Sequence, residues 1–228
     1  MQFKSTKYYL FKLIEEGHKW QYTDINGYSK KPKFYFTNLQ FILLGMMIFV
    51  AYYLKTGFNK DFISYGISAL SIFVGLFLTL MISVFDKFVA LNLPEVKKQI
   101  LADRGSLSDD EKALLIQKKN FFIQFTTLTA YSIIISILCI ILLSVPILWG
   151  NLSDDYTNYE FVGWDKINVE NTLSFLMLAT AYIHRLITLY FLIDFLLIVL
   201  YAVSGIYNYF SIEYRSIKLT DNDNPGHK

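Results

Sequence analysis

The stretch TLSFLMLATAYIHRLITLYFLIDFLLIVLYAVSGIYNYF, residues 172–210, decides the fold class of this chain. Only His184, Arg185 and Asp194 interrupt its apolar character. As a single helix it would be about 58 Å long, which exceeds the roughly 30 Å hydrocarbon core of a bilayer. We therefore expect a membrane span that tilts, bends or projects beyond the bilayer, and Ser204-Gly205 offers a place for a bend.

Three more apolar runs have the length of membrane helices: residues 34–54, 62–85 and 121–149. Each is about 18 residues or longer, which a helix needs in order to cross the hydrocarbon core. The chain is 54% apolar and 18% charged, whereas a soluble domain carries about 25% charged residues. The sequence thus predicts an all-α protein, a four-helix transmembrane bundle over residues 34–210.

The basic residues between the apolar runs predict the orientation of the chain. Residues 1–33, residues 86–119 and the tail, residues 211–228, together hold 17 Lys and Arg residues, whereas the two alternate segments hold 3. Loops rich in Lys and Arg stay on the cytoplasmic side of a membrane. We expect both termini to be cytoplasmic and the acidic loop 150–171 to be external.

The arm formed by residues 1–33 is expected to begin with an amphipathic helix. Such a helix can lie in the membrane interface, with its apolar face in the bilayer and its lysines at lipid phosphates. An ordered arm packed on a neighbouring subunit is the alternative. The residues concerned are Phe3, Leu10, Phe11 and Ile14 on the apolar face, with Lys4, Lys7 and Lys12 beside them.

Residues 86–120 are predicted to form a cytoplasmic helical hairpin rather than a separate domain. Pro94 can open its first helix, which would end near Gly105. Ser108 and Glu111 have the spacing of a capping box, so a second helix should begin there. No breaker follows before Pro146, and this helix is therefore expected to continue directly into the third span.

Residue patterns typical of enzymes are absent from the sequence. The three histidines are far apart, and the eleven glycines form no Gly-x-Gly-x-x-Gly pattern. The single cysteine, Cys139, lies in an apolar run and has no second cysteine with which to form a redox pair. We expect no catalytic activity, no cofactor and no bound metal ion.

Small and polar residues recur along one face of the second predicted span, at steps of three or four residues. They give either close helix packing through a small-residue stripe or a face that lines a water-filled pore. A carboxylate falls on the same side at the cytoplasmic end. The stripe comprises Ser64, Ser68, Ser71, Gly75 and Thr79, and ends at Asp86.

The fourth predicted span carries ionisable side chains that are expensive to place in lipid. Arg185 and Asp194 lie on opposite sides of the helix, so each needs a different partner. They are either structural partners between helices or subunits, or parts of a conduction path or gate. Two polar tracks accompany them: one of Thr180, His184 and Thr188, and one of Tyr190, Asp194, Tyr201, Ser204 and Asn208.

Four spans are too few to enclose a wide aqueous path within one chain. We therefore expect a homo-oligomer, with a tetramer favoured, in which the polar faces of spans two and four surround a shared axis. Cytoplasmic lysines would then form a basic collar able to hold a nucleotide, an oligonucleotide or an acidic protein, or would only touch lipid headgroups. These lysines are Lys30, Lys31, Lys33, Lys97, Lys98, Lys118 and Lys119.

Two functions fit this layout: an oligomeric ion-conducting pore, or a non-conducting scaffold that recruits a cytoplasmic partner protein. The second span, ISALSIFVGLFLTLMISVFD from Ile67 to Asp86, is followed by a charged hairpin and later by a span with internal charges. In this the chain resembles the small four-pass effectors of bacterial anti-phage systems of the CBASS-like or Hailong-like type. The resemblance implies a channel of the bacterial inner membrane, gated by a nucleotide-type signal.

Overall fold

The described residues are helical apart from the short loop after the first helix and the caps. The structure, a computed structural model, describes residues 2–29, 37–53, 58–90, 109–148 and 169–222. Its helices are α1 (Gln2–Trp20), α2 (Asn38–Tyr53), α3 (Lys60–Ala90), α4 (Asp109–Leu148) and α5 (Val169–Asn222). The prediction of an all-α fold is confirmed for these residues.

Among the described residues, three helices are long and apolar enough to cross a membrane. Their apolar stretches run over Lys60–Asp86, Lys112–Leu148 and Phe175–Ser211, and they correspond to the predicted second, third and fourth spans. This indicates a multi-pass membrane protein. The predicted first span corresponds to α2, a shorter apolar helix of 16 residues.

Polar side chains fix the N-termini of α2 and α3. At the start of α2, Gln40 Oε1 accepts the backbone N–H of Thr37 at 2.9 Å, and Thr37 Oγ1 accepts the N–H of Gln40 at 3.3 Å. This reciprocal pair is a capping box. At the start of α3, Asn59 Oδ1 accepts the N–H of Phe62 at 2.7 Å, as an N-cap asparagine does.

The prediction that one helix begins near Ser108 and continues through the third apolar run is confirmed for residues 109–148. α4 has 40 residues and contains Pro146 in its last turn. Lys112 Nζ lies 2.9 Å from Asp109 Oδ1 and, by donating a hydrogen bond, lowers the pKa of that carboxyl below its ordinary value. Ser108 of the expected capping box and the first hairpin helix lie outside the described residues.

The fourth span is part of a single 54-residue helix, α5. At 1.5 Å per residue its length is about 81 Å, well beyond a bilayer core. The helix continues through Ser204 and Gly205 without interruption. In a bilayer a helix of this length has to tilt, bend or project beyond the hydrocarbon core, as expected from the sequence.

The described residues fall into two compact units. The first takes its residues from Met1–Lys31, Phe77–Ser132 and Leu197–Lys228, and the second from Pro32–Leu76 and Ile133–Leu196. Phe121, Phe122, Phe125 and Ala202 form a buried cluster in the first unit. Tyr209 packs on it, with its ring 4.5 Å from that of Phe121 in a stacked arrangement.

The second unit has a core of its own, in which α4 presents small side chains. Ser136 and Cys139 are fully buried, one helical turn apart, and Leu143 follows one turn later. A Cβ atom at Gly66 would lie 3.1 Å from Leu143 Cδ1, so α3 passes close to α4 here. The ring of Phe73 meets that of Phe195 edge to face at 5.5 Å.

A small hairpin loop follows α1 in the first unit. Thr23 and Ser29 form an isolated antiparallel bridge. Asp24 organises the loop, since its Oδ1 accepts the N–H of Tyr28 at 2.8 Å and its carbonyl accepts the N–H of Gly27 at 3.0 Å. Gly27 has a φ of 86°, which glycine adopts without the steric cost that a Cβ would bring.

The C-terminal half of α1 lies directly against α4. A Cβ atom at Gly17 would stand 2.5 Å from Cγ of Tyr131, closer than any side chain tolerates. Only a glycine therefore permits this approach of α1 to Tyr131. The prediction of a helix near the start of the chain is confirmed, and the helix extends to Trp20.

Gly17→Ala is expected to destabilise the first unit, because the added methyl group overlaps the ring of Tyr131. Overpacking of this kind costs about 1–3 kcal/mol. Gly45→Ala is the matched control, since a Cβ at Gly45 meets nothing within 4 Å. Thermal unfolding of both variants in detergent, followed by circular dichroism, measures the difference, and equal midpoints would contradict the close contact at Gly17.

Candidate functional site

The aspartate of the fourth span has a partner within the same chain. Gln40 Nε2 donates a hydrogen bond to Asp194 Oδ1 at 3.2 Å, and both side chains are buried. The Gln40 oxygen is already engaged in the capping box of α2. One glutamine thus ends α2 and ties it to α5 in the second unit.

Of the other polar residues predicted in this part of α5, Arg185 and Thr188 are enclosed by the chain, whereas Thr180 is exposed. Arg185 is 3% exposed and Thr188 is fully buried. Thr188 Oγ1 donates to the carbonyl of His184 at 2.8 Å, and His184 Nε2 lies 3.0 Å from the carbonyl of Leu142. The first bond lies within α5, whereas the contact with Leu142 joins His184 to α4. Tyr190 is half-buried.

The stripe on α3 has the opposite environment. Every stripe residue, from Ser64 to Asp86, is exposed in the single chain, and a Cβ at Gly75 would meet nothing within 4 Å. Only 6% of the apolar stretch of α3 is buried, against 39% for α4 and 28% for α5. The hydroxyl of Ser71 donates to the carbonyl of Ile67 at 2.8 Å, within the helix.

The C-terminal part of the second polar track of α5 lines a cavity in the first unit. Tyr201, Ser204 and Asn208 lie three and four residues apart and so share one helical face. The cavity has a volume of about 200 Å³. Its other lining residues are Trp20, Gln21, Thr23, Asp24, Ile25, Gln124 and Gly205.

The described side chains that line this cavity are neutral apart from one acidic residue. Of the described residues that line it, Asp24 alone is acidic and none is Lys, Arg or His. Gln124 donates its amide hydrogens to the carbonyls of Thr23, at 3.0 Å, and Trp20, at 3.3 Å. Among the described residues, the lining of this cavity therefore offers no positive group to a phosphate.

Three side-chain amides of α4 hold the hairpin loop. They are not among the candidate site residues predicted from the sequence. Gln117 Nε2 donates to Asn26 Oδ1 at 2.8 Å, and Asn120 Nδ2 donates to the carbonyl of Ile25 at 3.0 Å. Gln124 completes the set, which we call the amide clamp. Its members are spaced i, i+3 and i+7, and this one-face spacing of Asn and Gln was the available signal.

The basic collar is described in part. Lys119 is exposed and Lys118 is half-buried, and both lie on α4 beside the amide clamp. Lys30, Lys31, Lys33, Lys97 and Lys98 lie outside the described residues, as does the acidic stretch 150–168. Within the described ranges, no three His, Cys, Asp or Glu side chains come together as metal ligands would.

Comparison with protein-family models, with curated proteins and with solved structures finds no match to this chain.

Gln124→Leu is expected to loosen the hairpin loop. It removes the donors to two backbone carbonyls, of Trp20 and Thr23, whose residues are buried. Leaving buried acceptors unsatisfied costs about 1–3 kcal/mol, so the loop amides of Gly27 and Tyr28 should exchange their hydrogens about tenfold faster or more.

Lys119→Leu is the matched control for this variant. It lies on the same helix and is exposed. Hydrogen exchange read by mass spectrometry on the peptide that covers residues 20–29 compares the two. Unchanged exchange in Gln124→Leu would show that the clamp does not hold the loop.

Proposed function

We propose that this chain is the subunit of an oligomeric membrane ion channel or pore. The observation that carries the proposal is the stripe on α3, which is polar and yet uncovered in the single chain. Hydroxyl groups that face lipid hydrocarbon can bond only within their own helix, as Ser71 does, whereas in an oligomer they pack against another copy or line a water-filled path. A homo-oligomer, with a tetramer as the working number, brings the stripes of all copies to one axis.

The burial of the α5 charges supports placing the pore between chains rather than within one. Arg185 and Asp194 are almost fully enclosed by their own chain. In this proposal they stabilise the subunit, with Gln40 bound to Asp194, and an ion passes along α3. Interhelical hydrogen bonds in membranes contribute about 0.6–2 kcal/mol each, which suits a structural role.

An apolar side chain interrupts the stripe near its end and supplies a candidate gate. Ile82 lies in the same helical sector, between Thr79 and Asp86, and is 63% exposed. A ring of isoleucines around a narrow axis excludes water and so blocks ions. Asp86 beyond it would attract cations to the cytoplasmic mouth.

The input proposed for this channel is a cytoplasmic signal of the nucleotide type. The support is the uneven charge of the sequence, with 17 basic residues on the expected cytoplasmic side, together with the resemblance to four-pass anti-phage effectors. Lys118 and Lys119 would take part in holding phosphates. The setting is the inner membrane of a bacterium, with both termini in the cytoplasm and α2 as the first of four spans, and the proposal assigns no catalytic step to the chain.

A non-conducting membrane scaffold is the second candidate, and one contact favours it. The hydroxyl of Ser71 is bonded within its own helix at 2.8 Å, so at this position the stripe acts as a small, self-satisfied surface suited to close helix packing. A scaffold would use the same oligomer without a pore and would recruit a cytoplasmic partner protein.

Gly75→Cys should cross-link between copies when the protein is oxidised in membranes, because the stripes face each other around the axis. Leu80→Cys is the control, since Leu80 is exposed on the same helix about 140° away. The native cysteine, Cys139, is buried and is replaced by alanine in both. Disulfide-linked dimers are counted on gels. Cross-linking from Leu80 alone would place another face at the axis, and none from either would contradict the oligomer.

Ile82→Ser should make the pore conduct without its signal, because a hydroxyl wets the constriction. Leu80→Ser, which faces away from the stripe, should leave the current unchanged. Both are reconstituted in planar bilayers and compared with the unsubstituted protein for unitary currents and open time. Bilayers that stay tight with Ile82→Ser, although Gly75→Cys cross-links, would favour the scaffold.

A further inference from the structure

The proline in the last turn of α4 leaves one backbone carbonyl without its helical partner. In an α-helix the N–H of each residue bonds the carbonyl four positions earlier, and Pro146 has no N–H to give. The carbonyl that loses its donor is that of Leu142. In a straight helix the proline ring also clashes with this carbonyl. The carbonyl of Leu142 therefore needs a donor from outside the backbone of α4.

A side chain of α5 supplies this donor. His184 Nε2 lies 3.0 Å from the carbonyl oxygen of Leu142. A carbonyl only accepts hydrogen bonds, so the proton of this bond is carried by Nε2 and His184 donates it. His184, Leu142 and Pro146 all belong to the second unit. Lipid offers no donor to a carbonyl that a proline has freed, and neighbouring helices of membrane proteins satisfy such groups instead.

The neighbours of His184 in its polar track bond differently. The hydroxyl of Thr180 donates to the carbonyl of Leu176 at 2.8 Å, and the hydroxyl of Thr188 donates to the carbonyl of His184 at 2.8 Å, both within α5. His184 Nδ1 is buried and has no hydrogen-bond partner among the described residues. Of the three side chains of this track, His184 is thus the one whose described hydrogen bond joins α5 to α4.

We infer that Pro146 makes a hinge in α4 and that His184 holds this hinge closed. While Nε2 donates to the carbonyl of Leu142, the last turn of α4 and this part of α5 move together. When that bond breaks, α4 can bend at Pro146 without losing a backbone hydrogen bond at this position, because it has none there. His184 is therefore a positioning residue of a conformational device, and this role does not depend on the proposed channel.

Pro146→Ala tests the inference in the full-length protein, because it restores the missing N–H. His184→Phe keeps an aromatic ring and removes the donor. Alone, His184→Phe should raise the equilibrium constant of unfolding about three- to tenfold, as the loss of an interhelical hydrogen bond in a membrane protein does. Together with Pro146→Ala it should raise this constant less than about twofold, since the N–H at position 146 then reaches Leu142. Unfolding is followed by circular dichroism in mixed micelles, and equal effects of His184→Phe in both backgrounds would overturn the inference.

His184→Gln and Thr180→Val are the matched controls. The amide of His184→Gln keeps an N–H donor and should restore most of the stability, so a variant as unstable as His184→Phe would overturn the inference. Thr180→Val removes a hydroxyl that bonds within α5, and its effect should be the same with and without Pro146→Ala. If His184→Phe alone does not fold, adding Pro146→Ala should restore folding, and a failure to do so would also overturn the inference.

Hydrogen exchange separates a hinge from a bond that only adds stability. Under native conditions the amides of residues 143–148 should exchange several-fold faster in His184→Phe, and Pro146→Ala should reverse this increase. The peptide that covers residues 121–132 of the same helix should be unchanged in both variants. Mass spectrometry reads both peptides, and unchanged exchange at residues 143–148 in His184→Phe would contradict the hinge. Because neither readout involves current, failure here is distinguishable from failure of the proposed channel.

Discussion

The first unit depends on hydrogen bonds from three side-chain amides on one face of α4. Gln117, Asn120 and Gln124 donate to the loop that follows α1, over distances of 2.8 to 3.3 Å. A loop has few backbone partners of its own, and its buried carbonyls are costly unless something donates to them. The clamp supplies these donors, and it thereby fixes where α1 ends and how closely Gly17 approaches Tyr131. The cavity and the direction of α1 both follow from this.

In the second unit, the side chain of Gln40 donates a hydrogen bond to a buried carboxyl group. An aspartate in an apolar helix is expensive unless it is bonded, and Gln40 bonds Asp194 while it also caps α2. Because the oxygen of the amide takes the backbone N–H, its nitrogen remains for the carboxylate. The two requirements therefore fix the orientation of Gln40, and the start of α2 is tied to α5 by this hydrogen bond.

Features that depend on neighbouring residues could be predicted from the sequence, whereas contacts between distant residues could not. The continuity of α4 was predictable because no breaker precedes Pro146, and the apolar runs give α3 and α5 directly. The hydrogen bond between Gln40 and Asp194 could not be predicted, because the two residues are 154 positions apart and hydropathy carries no information about such pairs. The amide clamp was visible as spacing, but side-chain amides on a helix usually face water, so nothing marked these three. The lysines of the collar outside α4 lie beyond the described residues.

The α3 stripe and the charged residues of α5 differ in burial, a difference that the sequence alone does not reveal. Both the α3 stripe and the α5 charges are polar groups in apolar helices, and either suits packing or a pore. Asp194 is 5% exposed and already bonded, so an ion could reach it only by opening the subunit. Gly75 stands where an added Cβ would meet nothing, so water or another copy can reach it without rearrangement. A conduction path costs least where the subunit is already open, and for the proposed channel this favours a path along α3.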